Sequence, residues 1–132
     1  MCSVGAVAAL LVAAVAHAEP SEEDRARARE LMDRGDALVA QHHDEAALRA
    51  YREAHSIMGV PTTGIEVAKT LTRLGKLVDA RKVALETVAL PVVEGEPEPF
   101  AGARSEAAAL AKELDARIPL LTVKVVGGAT WL

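Results

Sequence analysis

The side chains that could do chemistry are few, and their spacing brings none of them together. His42 and His43 are adjacent, so their rings diverge, while His55 lies about three turns further along the same helix. Asp44 and Glu45 follow the pair at spacings that do not converge, and no HExxH or comparable ligand pattern occurs. These histidines therefore read as solvated turn residues. Ser56, Ser105 and the threonines lie in no nucleophile elbow, and Gly127-Gly128 lacks the lysine and following helix of a phosphate loop. Glu94, Glu96 and Glu98 fall in a proline-rich stretch, where carboxylates are expected to be solvated and ionised with ordinary acidity. Without a nucleophile, base and oxyanion donor in register, the expectation is a protein that is not an enzyme and uses no cofactor or metal.

Composition narrows the class further. The chain has 132 residues, 15 basic and 19 acidic, for a formal net charge of −4. It has no basic tract, which argues against nucleic acid as a partner. Cys2 is the single cysteine, so disulfides within the chain and clusters of cysteine ligands are excluded. Val4–Ala16 is an uninterrupted apolar run followed by Ala16-His17-Ala18, a small-x-small site before charged sequence. Residues 1–18 thus have the layout of a secretory signal peptide, although no Lys or Arg precedes the run. The expectation is an exported chain, periplasmic or secreted, whose mature part does not associate with a membrane. An uncleaved anchor and an ordinary buried helix are the alternative readings of the run.

The elements that follow are helical. Ser21 with Glu22, Glu23 and Asp24 makes a helix start, with a capping hydroxyl and carboxylates at the positive end of the dipole. That helix runs to about Gln41, with Ala28, Leu31, Met32, Gly35, Leu38 and Val39 toward the core. Asp44 can cap a second helix to about Met58, with Ala47, Leu48, Tyr51, Ala54 and Ile57 on its apolar stripe. Gly59-Val60-Pro61 stops it, and Thr63-x-x-Glu66 reads as a capping box for a third helix ending at Gly75. A fourth helix covers about Leu77–Leu90, with Ala80, Val83, Ala84, Thr87 and Val88 inward. Residues 91–100 form a Pro/Glu-rich loop, residues 101–118 a fifth, alanine-rich helix, and 119–132 a strand and tail. Leu121–Val125 alternates apolar and polar residues with β-branching, the pattern of a strand.

A shift of about 33 residues superposes the first helix pair on the second. Gly35 falls on Ala68, Leu38 on Leu71, Ala47 on Ala80, Tyr51 on Ala84 and Ala54 on Thr87. Small residues recur where helices must cross, at Gly35, Ala47, Ala68 and Ala80, with Ala47 expected to face Gly35 across the first pair. On these residues the stretch from Glu30 to Leu90 resembles the tetratricopeptide repeat (TPR) family, with Gly75 in the usual inter-helix turn. The family's early tryptophan is here Leu31 in one unit and Gly64 in the other, and its late proline is Gly59. An unrelated short-loop helical bundle is the other reading.

The fold class expected is all-α: two TPR-like antiparallel helix pairs over residues 19–90, a capping fifth helix, and a short C-terminal β-strand. The order of segments also looks like exported bacterial TPR proteins whose helical part precedes a PEGA-type β-sandwich. One strand cannot hide its own edges. Either the chain is the N-terminal part of a longer protein, or the strand completes a partner's sheet. The resemblance implies a protein or extended peptide as partner, held on the first helix of each unit. Carried onto this sequence, the groove positions are Arg29, Met32, Asp36 and Val39, then Ile65, Lys69, Thr72 and Arg73. Lys69 and Arg73 lie one turn apart, where they could hold a carboxylate, but the asparagines of the family's carboxylate clamp are missing because the chain has none. The functional expectation is a non-catalytic interaction module of the bacterial cell envelope. A helical spacer for a larger envelope protein with a C-terminal β-sandwich is the alternative.

Overall fold

The computed structural model describes residues 18–121, 123 and 124, which form five α-helices: α1 (Glu22–Ala40), α2 (Asp44–Met58), α3 (Pro61–Arg73), α4 (Leu77–Ala89) and α5 (Glu98–Arg117). Each helix packs on the next in sequence, and α5 also packs on α3. The fifth helix therefore covers the α3–α4 pair. Among the described residues no helix is long and apolar enough to cross a membrane. Of the proposed signal segment, residues 1–18, all but Ala18 lie outside the described residues.

The helix ends follow from local chemistry. Ser21 Oγ accepts the Asp24 N–H at 3.1 Å, and the Asp24 carboxylate accepts the Ser21 N–H at 3.1 Å, a complete capping box. The two intra-pair turns are alike. After α1, the His43 N–H reaches Leu38 O and the His42 N–H reaches Val39 O, both at 2.9 Å. After α3, the Lys76 N–H reaches Leu71 O and the Gly75 N–H reaches Thr72 O, both at 3.0 Å. Each is a Schellman closure, with His42 (φ 59°) and Gly75 (φ 74°) in the left-handed position. His42 and Gly75 are related by the same shift that superposes the two pairs in sequence, a likeness compatible with a helical repeat.

Three starts differ from the sequence reading. Asp44 is the first residue of α2 and caps nothing; its carboxylate accepts from Arg73 Nε at 3.0 Å. The third helix begins at Pro61, before the proposed Thr63–Glu66 box, because proline at the first position has a preset φ and no N–H to satisfy. The Thr63 hydroxyl instead donates to Val60 O at 2.9 Å. The fifth helix begins at Glu98 for the same reason, with Pro99 in its first turn. The expected strand is not formed at Leu121, Val123 or Lys124, and the remainder of Leu121–Val125 lies outside the described residues.

The core is built largely from alanine and a few larger side chains. Tyr51, Leu48, Leu71 and Leu114 are the largest fully buried hydrophobic residues, with Ala47, Val67 and Ala80 in the same cluster. A second cluster joins Ile65 and Ala68 of α3 and Ala84 of α4 to Ala103, Ala107 and Ala111 of α5. Small side chains let backbones approach closely, so packing density is kept without large residues. Val88, expected inward, is on the exposed side of α4.

The acidic proline loop is tied down. The Arg104 guanidinium pairs with both oxygens of Glu96, the longer contact at 2.9 Å, and also donates to Leu90 O (3.2 Å) and Pro91 O (2.8 Å). The bond and charge of Arg104 hold the Glu96 carboxyl below its usual acidity range. That corrects the expectation of a freely solvated carboxylate at this position.

Candidate functional site

A pocket of about 290 Å³ opens where α1, the α2–α3 turn and the start of α5 meet. Ala28 and Met32 of α1, Met58, Val60 and Phe100 make an apolar floor, with Thr62 and Thr63 at one side. Arg25 and Arg29, one turn apart on α1, stand at its rim. Each element has a reason to be there. Gly59 takes a left-handed conformation (φ 57°) that turns the chain within two residues, and the Arg104–Glu96 clamp fixes the loop that delivers Phe100. Other hollows lie elsewhere: one on the outer α1–α2 face is walled by Arg27, Glu30, Arg34 and Glu53. One beside the end of α5 is lined by Val78, Ile118 and Leu120 together with the Arg81–Asp115 ion pair.

Of the eight positions proposed for the groove, Arg29 and Met32 line this pocket. Asp36 accepts a hydrogen bond from the Tyr51 hydroxyl at 2.6 Å, and Val39 packs half-buried against the core. Ile65 is buried against α5 and offers no free surface. The Thr72 hydroxyl donates to Ala68 O at 2.9 Å. Lys69 donates to Glu66 at 2.8 Å and lies 3.4 Å from Glu106 on α5. Desolvation opposes the charge of Lys69, but Glu66 and Glu106 more than offset it, so its pKa is raised. Arg73 holds Asp44 and donates to Thr70 Oγ1 at 2.8 Å. The two cations proposed to take a partner's carboxylate are thus engaged by carboxylates of the chain itself.

The helix-crossing residues Gly35, Ala47, Ala68 and Ala80 are all buried. The group facing Gly35 is the Tyr51 ring, not Ala47 as expected. A second close approach is made at Gly64, whose missing side chain leaves room for Thr87 Oγ1 and for His55 Cε1. His55 is half-buried and is no solvated turn residue: its Nδ1 lies 2.8 Å from Thr63 Oγ1. The Thr63 hydroxyl also lies 2.9 Å from Val60 O, so it can donate there while accepting from the His55 Nδ1–H tautomer. Burial lowers the His55 pKa below its usual value, partly countered by Glu86. His42 and His43 are exposed at the α1–α2 turn. Among the described residues no group of three or more His, Cys, Asp or Glu side chains is placed to hold a metal ion.

Arg25, Met58 and Phe100 were missed from the sequence. Phe100 is the single phenylalanine of the chain, directly after the acidic loop, and its isolation was the available signal. Comparison of the chain with protein-family models, curated proteins and solved structures gives no match.

Proposed function

We propose that the chain is a non-catalytic, exported, TPR-like interaction module of the bacterial cell envelope, whose partner is a segment of another protein. The observation that carries this reading is the apolar pocket closed by Phe100 across α1 and α3, the two helices proposed to line the groove. The alike turns at His42 and Gly75 support a repeat architecture. The test is a photo-crosslinking amino acid in place of Thr62, with a control at Lys82 on α4, in cells producing the full chain. A discrete protein adduct at Thr62 and none at Lys82 is the expected result. Adducts at neither position, under conditions where the chain is folded, overturn the reading.

A second reading has its own observation. Leu120, Leu121 and Val123 are exposed as the chain leaves α5, as they would be if they awaited a β-domain. In that reading the helices are a spacer or assembly segment for a larger envelope protein. Sequencing the gene beyond Leu132 tests it: further alternating strands support it, and their absence removes its motivation.

A further inference from the structure

We propose that the pocket between α1 and the start of α5 takes an apolar side chain of a partner polypeptide with a carboxylate one or two residues away, received by Arg25 and Arg29. This rests on the interaction-module reading and narrows it to a recognisable chemistry. At about 290 Å³ the pocket lies at the small end of ligand sites, about 300–1,000 Å³, and suits one or two side chains. Its floor joins two methionines to a phenylalanine, and unbranched methionines adapt to ligands of different shape.

Charge complementarity selects the neighbour of that side chain. Among the described residues, neither the Arg25 nor the Arg29 guanidinium is within hydrogen-bonding distance of a carboxylate. Glu22 lies 3.6 Å from each, and Glu19 lies 3.9 Å from Arg25. Glu19 and Glu22 are well exposed, and such pairs contribute little. An incoming carboxylate that makes true bidentate bonds beside an apolar floor therefore displaces them. Lys69 and Arg73 have no such spare capacity, being held at 2.8 and 3.0 Å by Glu66 and Asp44. Two guanidinium groups at the rim also disfavour a basic segment.

The experiment is selection of a phage-displayed random heptapeptide library on the purified full chain. Fluorescence polarisation of the consensus peptide, synthesised with a fluorescein label, follows. Enrichment of Leu, Met or Phe within two residues of Asp or Glu is expected. The Arg25→Gln/Arg29→Gln variant should bind that peptide at least about tenfold more weakly, and Phe100→Ser should weaken it as well. Lys69→Gln/Arg73→Gln should leave affinity within about twofold. Arg25 and Arg29 are exposed, so unchanged helical circular dichroism is the folding control for their replacement. A consensus lacking acidic residues, or affinity that follows Lys69 and Arg73 instead, overturns this inference and leaves the interaction module standing. Failure to enrich any peptide above an unrelated immobilised protein overturns both.

Discussion

The Tyr51 ring packs directly against the bare backbone of Gly35: a Cβ at that glycine would sit 2.6 Å from Cδ1 and 2.7 Å from Cζ of the ring. Tyr51 is 1% exposed and its hydroxyl is held by Asp36, so the ring has nowhere to retreat. Burial first, and then Asp36, push its phenol well above the ordinary range, so it stays a neutral donor. Gly35→Ala should therefore cost about 1–3 kcal/mol by overpacking. A Cβ at Gly102, in α5, meets nothing within 4 Å. Gly102→Ala should instead stabilise by roughly 0.5–1 kcal/mol through helix propensity. Urea melts of the two variants, monitored by circular dichroism, should shift in opposite directions.

His42 occupies the left-handed position that Gly75 fills in the other pair. A side chain there costs roughly 1–2 kcal/mol relative to a right-handed backbone, and glycine removes most of it. His42→Gly should raise the melting temperature by a few degrees, while Gly75→His should lower it. If the turns are equivalent, the double exchange should nearly cancel. Differential scanning calorimetry of the three variants measures this directly.

The helices were legible because their punctuation is local: Ser21, Gly59, Pro61 and Gly75 act on their own neighbours. The burial of Gly35, Ala47, Ala68 and Ala80 was legible as well, since small residues on an apolar helix stripe belong to the packed side. What faces them was not. Whether Tyr51 or Ala47 covers Gly35 depends on how far one helix slides along the other, which spacing within each helix does not encode. The fate of Ile65 and Arg73 was set by α5 and by the start of α2, elements outside their own helix, while Lys69 is shared between Glu66 one turn back and Glu106 of α5. The pocket was invisible for the same reason, because Phe100 comes from the first turn of α5, in a stretch that the sequence presented as a loop.

That loop leads to the third prediction. Arg104 is the one side chain that ties Glu96, Leu90 and Pro91 together. Arg104→Ala should release residues 91–97, and limited digestion with a glutamate-specific protease should then cleave the Glu94–Gly95 bond faster than in the parent. Since Glu96 has a lowered pKa in the folded chain, its contribution is complete above the unfolded carboxylate value and is lost as pH falls through the folded value. In the parent, protection of the loop should therefore fade on acidification; the variant should show no such protection to lose.

His55 gives the opposite end of the titration. Burial lowers its folded pKa, so between the folded and unfolded values the unfolded chain binds more protons than the native one. Its contribution to stability is full above about pH 6.5, the unfolded value, and declines as pH falls from there toward the folded value. Glu86 opposes the shift, which keeps the effect modest. The denaturation midpoint of the parent should thus fall between pH 7.5 and pH 5.5. His55→Gln keeps an N–H that can reach Thr63 Oγ1 without a titrating group, and its midpoint should change less over the same interval. A parent and His55→Gln variant with identical pH slopes would mean that the buried ring does not sense protons.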